Sequence, residues 1–394
     1  MKPANRIPSG VWALGFVSLA MDVSSEMIHS LLPLYLTVAL GASALTVGII
    51  EGVAESTALI VKVFSGALSD RLRKRKAITA FGYGLAALSK PLFALATAPL
   101  LVFIARFLDR IGKGIRGAPR DALIADLTPK EVRGAAFGLR QSLDTVGAFA
   151  GPLLAMALML AWNDDFRAVF WVAVIPAILS FTLIVFAVRE PAGVSESGGE
   201  KIRFEKSLVT KLGAAFWAVT AAGGALTLAR FSEAFLILRA QDLGLAVALA
   251  PLVLVGMNVV YSLTAYPVGK LADRMPPATL LYAGIAMLIA SDVALALASN
   301  MAWLAIGVAL WGLHMGFTQG LLSAMVAQAA PASLRGTAFG MFNLASGIAM
   351  LAASAIAGAL WQYAGPDKTF WAGAVFAGIS AILAWSTLKP RRAP

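Results

Sequence analysis

The chain has 394 residues, of which 59% are hydrophobic and 13% charged, with no cysteine and a formal net charge of +11. Soluble domains carry about 25% charged residues, so a soluble globular fold is excluded, and without cysteine so are disulfides and thiolate metal sites. The positive charge does not point to nucleic acid, because Arg and Lys gather in alternate loops between long apolar runs, as they do in multi-span membrane proteins.

A helix needs about 20 apolar residues to cross a bilayer. Twelve spans of that kind follow one another, at 11–39, 45–68, 77–97, 99–126, 134–161, 167–188, 212–239, 246–271, 278–298, 301–328, 335–363 and 369–388. Lys2 and Arg6 precede the first run. That run is too long and too poorly terminated for a cleaved signal and reads as a retained span. With the N-terminus inside, the inner segments hold Arg71, Arg73 to Lys76, Lys130, Arg133, Arg189, Arg274, Arg335 and the basic tail. The outer loops hold little beyond Arg167, Arg239 and Lys368. Both termini are therefore expected in the cytoplasm, with the chain in a bacterial-type inner membrane. The longest polar stretch, 189–210, mixes Pro, Gly, Ser and charge and reads as a linker between halves at 1–188 and 211–394.

Two motifs occur twice. Gly66-Ala-Leu-Ser-Asp70-Arg71 recurs as Gly269-Lys-Leu-Ala-Asp273-Arg274, and Arg133-Gly-Ala-Ala-Phe137-Gly138 as Arg335-Gly-Thr-Ala-Phe339-Gly340. The shifts are 203 (66 to 269) and 202 (133 to 335), so the two halves are copies of one unit. Features kept in both halves read as scaffold, and features of one half as candidates for function. Gly66 and Gly269 suit close helix approach, and Asp70 and Asp273 fall at the inner boundary, within reach of an arginine or a helix N-terminus.

On these motifs the chain resembles the major facilitator superfamily of secondary transporters. The family pattern after span 2, Gly-x-Leu-x-Asp-Arg-x-Gly-Arg/Lys-Arg/Lys, is matched by Gly66, Leu68, Asp70, Arg71, Lys74 and Arg75, with Arg73 in place of the second glycine. The resemblance implies an all-α integral membrane fold, with twelve transmembrane helices in two pseudo-symmetric six-helix bundles that alternate access. It also implies a latch through Asp70, with Asp126 and Arg133 as partners and Gly66, Arg71, Asp273 and Arg274 in the same motif. Met275-Pro276-Pro277 replaces the basic run in the second half, so the latch is expected to be weaker there.

Span 5 carries Gly138, Gly147, Gly151 and Pro152, which resemble the superfamily's antiporter motif, with Ala155 departing at a final glycine position. The corresponding second-half residues include Ala349, Ala353 and Ser354. Glycines one turn apart permit tight packing, and the proline bends the helix.

The first half also concentrates charge. Asp22, Glu26 and His29 share a face of span 1, and Glu51 and Glu55 lie four apart in span 2. A lone acid at mid-membrane costs about 2.5–3.5 kcal/mol, so these must face a wet cavity or cations. Span 4 offers Arg106, Asp109, Arg110, Lys113, Arg116 and Arg120, with Arg106, Arg110, Lys113 and Arg120 on roughly one face. Arg110-Ile-Gly-Lys113-Gly114 resembles the family's Arg-x-x-Gln-Gly motif, whose arginine is linked to proton coupling. Arg140 and Asp144 form an i,i+4 pair in span 5. In the second half, Arg230, Glu233, Asp292 and His314 are the intramembrane charges, and Phe231, Phe235, Trp311 and Phe317 could line a cavity. The alternative for all these charges is an internal salt-bridge network that holds the bundle together.

The function expected is proton-coupled export of a small cationic or amphipathic solute. Asp22, Glu26, Glu55 and Arg110 are assigned to coupling, because low dielectric favours a neutral carboxyl and so proton exchange. Asp22, Glu26, His29, Glu51, Arg106, Lys113, Arg140, Arg230, Glu233 and His314 are assigned to substrate. The alternatives are a divalent metal exporter, with Asp22, Glu26, His29 and His314 as ligands, and a transporter of organic anions read by the span-4 arginines. No nucleophile elbow, metal-hydrolase motif or phosphate loop appears, so an enzyme is not expected. No cofactor is expected: the proton gradient supplies energy. The partners are protons, membrane lipid and a small-molecule or ion substrate, without nucleic acid, and the protein is expected to be a monomer.

Overall fold

The computed structural model describes residues 7–72, 74–189, 212–272, 274–331 and 334–387, without the side chains of Ala67, Asp70 and Lys130. Within a bilayer every backbone polar group must be bonded inside its own segment. Among the described residues regular structure is helical throughout. Span 2 is Ala44–Leu72, span 3 Arg75–Leu95, span 4 Pro99–Leu127, span 5 Arg133–Ala161 and span 6 Phe166–Phe186. Span 8 is Pro251–Ala272, span 9 Pro277–Ala296, span 10 Met301–Ala329, span 11 Arg335–Ala364 and span 12 Pro366–Thr387. Eleven described segments are long and apolar enough to cross a membrane. Span 4 is a helix of 29 residues whose charges set it apart from them. The expected linker lies outside the described residues, apart from Arg189.

Spans 1 and 7 are not single helices, which the apolar pattern does not foretell. Span 1 runs Ser9–His29, stops, and resumes as Leu32–Leu34 and a π-helical Tyr35–Ala39. Pro33 has no N–H to bond the carbonyl of His29, so the first helix cannot continue through it. Span 7 is Gly213–Ala229 followed by Ala234–Asp242. In its break the Ser232 hydroxyl accepts from the Ala234 N–H at 3.2 Å, and the Ser232 N–H donates to Ser354 Oγ of span 11 at 3.2 Å. The freed backbone is thus satisfied by side chains.

The chain packs as two compact units. One comprises Met1–Gly41, Thr57–Lys201 and Val247–Leu252; the other comprises Ala42–Ser56, Ile202–Ala246 and Val253–Pro394. Span 2 is therefore shared. Its first half belongs to the second unit, where Gly48 and Gly52 lie against the backbone of span 11 at Ser354 and Leu351. In the first unit, Val11, Leu14, Val17 and Met21 of span 1 build a core with Tyr83 and Ala86 of span 3 and Ile184 of span 6. Leu88, Phe186, Leu263 and Ile382 are among the apolar side chains left exposed, as lipid-facing positions require.

Arg167 and Arg239 have structural work. The Tyr35 hydroxyl donates to Ala96 O at 2.5 Å, just past the end of span 3, and Arg167 donates to the same carbonyl at 3.1 Å. In the second unit, Arg239 donates to Leu295 O at 3.1 Å and Ala298 O at 2.8 Å at the end of span 9. Both cations meet carbonyls left over at a helix C-terminus, where positive charge is stabilising.

Candidate functional site

The first unit holds a buried charge network. Lys90 of span 3 donates to Asp109 of span 4 at 2.7 Å and to Ser25 Oγ of span 1 at 3.0 Å. Arg110 Nε lies 3.8 Å from the other oxygen of Asp109. Lys90, Arg106, Asp109, Arg110 and Arg116 are all at least 96% buried, since none exceeds 4% exposure. The guanidinium of Arg116 stacks on the Tyr83 ring, 4.7 Å from its centroid. Arg120 donates to Ser18 Oγ at 3.0 Å, and Ser18 shares a hydrogen bond with the Tyr83 hydroxyl. Arg140 pairs with both Asp144, at 3.1 Å, and Asp121, at 3.5 Å.

Beside this network stand the acids of span 1. Glu26 lies 3.3 Å from His29 Nδ1, and the other charges acting on it are Lys113 and Arg110. Those acting on Asp22 include Asp144, Arg116, Lys113 and Arg120. Both acids sit on the glycines of span 5. A Cβ on Gly147 would come within 2.8 Å of Asp22 Cβ, and one on Gly151 within 2.8 Å of Glu26 Cβ and 2.7 Å of Val23 O. The glycine spacing of span 5 and the acid spacing of span 1 are the same one-turn repeat, so each acid has a glycine opposite it.

The second unit holds another group. Glu51 is fully buried near the Gly48 and Gly52 contact with span 11. Arg230 and Glu233 flank the break in span 7, and the charges acting on Arg230 include Glu233 and Glu55. His314 is buried between spans 9 and 10, with Nδ1 2.9 Å from Gly284 O. Phe231 packs on Phe235, Trp311 and Phe370 at centroid distances of 5.5–5.6 Å.

A family model described as Major Facilitator Superfamily matches residues 14–238 and 214–394. The chain belongs to the major facilitator superfamily. It is 32% identical over 386 residues to an uncharacterized MFS-type transporter of Methanocaldococcus jannaschii, covering 96% of this chain and 94% of that one. It is 31% identical over 162 residues to the multidrug resistance protein MdtH of Photorhabdus laumondii, covering 41% of this chain and 39% of that one. Among solved structures, the nucleoside transporter NupG superposes with a TM-score of 0.77 at 13% identity, over 96% of this chain and 99% of that one. An inward-facing bacterial homologue of the human lysosomal transporter Spinster gives 0.72 at 16% identity over the whole of both chains. These two likenesses are of fold.

Within this major facilitator chain, several expectations need correction. The metal-ligand set of Asp22, Glu26, His29 and His314 is divided between the two units. Glu26 and His29 meet in the first unit, His314 is enclosed in the second, and no group of three metal-binding side chains forms among the described residues. Along span 4, Arg116 is buried while Lys113 is exposed, because the buried face follows the close packing on span 3 at Gly82 and Gly112. Phe231, Phe235 and Trp311 are buried. Gly66 does touch span 4, with a Cβ there 3.3 Å from Ala118, but Gly269 and Gly138 have nothing within 4 Å of such a Cβ among the described residues. Asp126 is held by Arg75 of span 3, and Arg133 Nε has no hydrogen-bond partner among the described residues. Arg71 and Arg274 are exposed. The Asp70 side chain and all of Asp273 lie outside the described residues.

Lys90 is not among the residues expected from the sequence to have a role. Its signal was present: a single lysine deep in an otherwise apolar span, with an aspartate available on the neighbouring antiparallel helix. An unpaired ammonium there would cost far more than a paired one.

Proposed function

We propose that this transporter is a proton-coupled exporter of small cationic or amphipathic solutes. It works in the inner membrane with both termini in the cytoplasm, as a monomer, without cofactor or nucleic acid. The observation that carries the reading is the seating of Asp22 and Glu26 on Gly147 and Gly151. A change of charge on either acid acts directly on the helix that carries Pro152. Protonation removes the attraction of Asp22 and Glu26 for the cations of span 4, and a cationic solute competes with the proton for the same carboxylates. The glycines let span 1 and span 5 touch backbone to backbone, so the chemical event is passed on without slack. The partial likeness to a multidrug resistance protein supports the choice of a small-molecule solute.

The test is transport in proteoliposomes under an imposed proton gradient. Asp22→Asn and Glu26→Gln should each reduce uphill transport about tenfold or more while sparing substrate exchange at equal concentrations, since neutral amides keep the packing but carry no proton. Full uphill transport in both variants removes them as coupling residues.

A second reading, transport of an organic anion, is favoured by the burial of Lys90, Arg106, Arg110 and Arg116 in one unit. Guanidinium groups suit carboxylate and phosphate geometry. Thermal stabilisation of the purified protein by organic anions but not by amphipathic cations would select it.

A further inference from the structure

Lys90 and Asp109, bonded at 2.7 Å across spans 3 and 4, have counterparts in the second half. The repeat shift of 202, which takes Arg133 to Arg335, takes Lys90 to Asp292 and Asp109 to Trp311. Packing keeps that register. A Cβ on Gly82 would meet Gly112 O and Arg116, while one on Gly284, shifted by 202, would meet Thr318 and approach His314 O. Asp292 and Trp311 therefore occupy the places of a bonded pair.

They are not bonded to each other. Both carboxyl oxygens of Asp292 and the indole Nε1 of Trp311 lack a hydrogen-bond partner among the described residues, and both side chains are wholly buried. The carboxyl rests on span 12, where a Cβ on Gly373 would come within 2.7 Å of it. The titratable and charged groups around span 9 are engaged elsewhere or distant along the helix. His314 of span 10 faces Gly284 O, Asp367 and Lys368 of span 12 pair with each other, and Arg239 of span 7 caps Leu295 and Ala298. Tyr282 lies on span 9 itself, its ring tilted against that of Trp385.

A carboxylate ion with neither cation nor donor, buried among apolar helices, is so poorly solvated that it takes up a proton instead. We infer that Asp292 is a second proton-binding site of the transporter, filled in this conformation, with Trp311 the donor that receives the carboxylate when the proton leaves. On release the O–H bond of Asp292 breaks and the proton passes to water. The indole N–H then hydrogen-bonds the carboxylate and keeps its own proton. Trp311 also packs at a tilt against Phe231, 5.6 Å away in the break of span 7. The swing of Asp292 from Gly373 to Trp311 thus bears on the segment that carries Arg230 and Glu233. The inference rests on the proton-coupled reading for its role, but the proton itself can be observed without transport.

Infrared difference spectroscopy of the reconstituted full chain reads the carbonyl stretch of a protonated carboxyl. At neutral pH, Asp292→Asn should remove one such band, and an unchanged band overturns the proposal. Where that variant does not fold, Trp311→Phe in an otherwise intact chain decides. With the donor gone, the band should persist to higher pH than in the wild type, and an identical pH profile overturns the assignment. If Asp22→Asn and Glu26→Gln leave uphill transport intact, the coupling reading fails, and the Asp292 band still decides this site by itself.

Discussion

Replacing Gly151 by alanine puts one methyl group between spans 1 and 5. Built on the backbone, that carbon lies 2.7 Å from Val23 O, 2.8 Å from Glu26 Cβ and 3.1 Å from Met27 N. Two of these three atoms are main chain, so no side-chain rotation relieves the clash. An unstrained carbon–carbon contact is about 3.5 Å, so span 1 must retreat by about 0.7 Å at Glu26. Overpacking of this kind costs about 1–3 kcal/mol. Gly138→Ala is the control, because a Cβ on that glycine has nothing within 4 Å among the described residues, and alanine is the better helix former there by up to about 1 kcal/mol. Thermal unfolding of the detergent-solubilised protein should therefore show Gly151→Ala melting below the wild type and Gly138→Ala at or above it. Gradient-driven transport should fall in the first and persist in the second. Equal melting temperatures for the two variants would refute the contact between the acids and the glycine helix, and with it the seating on which the coupling reading depends.

Two further perturbations bear on the buried network and the helix ends. Asp109→Leu alone takes the carboxylate from both Lys90 and Arg110 and should cost about 3–5 kcal/mol, whereas adding Lys90→Met removes one of the two stranded cations, so the pair of changes should cost less than the sum of the two made singly. Additive losses in thermal unfolding would show that the pair is not coupled. Arg239→Ala removes charged hydrogen bonds to Leu295 O and Ala298 O, each worth about 1.5–3 kcal/mol. Arg239→Lys should restore only part, because one ammonium does not reproduce a planar fork. Hydrogen exchange at the end of span 9 should quicken in both, and unchanged exchange there would exclude the capping role.

The long apolar segments and the recurrence of Gly66 to Arg71 at Gly269 to Arg274 were readable because each depends on local order. Whether a segment suits a bilayer follows from its own side chains, and a duplicated motif needs no neighbour to be recognised. The acids at Asp22 and Glu26 and the glycines at Gly147 and Gly151 were likewise visible as separate one-turn patterns. Lys90 was not, because its meaning comes from Asp109 on another helix.

Composition, span length and charge bias by themselves determined a helical membrane protein built from two copies of one unit, since a bilayer leaves an apolar chain few other ways to satisfy its backbone. Tertiary structure alone decided which charges meet. It placed Glu26 with His29 and formed no group of three metal-binding side chains among the described residues, buried Arg116 while leaving Lys113 exposed, broke spans 1 and 7, and left Asp292 facing Gly373 without a hydrogen-bond partner among the described residues. The reason is physical. A helix face is fixed by spacing along one segment, but the partner of a buried charge is fixed by which other segment packs there and in what register, and that register depends on contacts such as Gly82 on Gly112 between residues far apart in the chain.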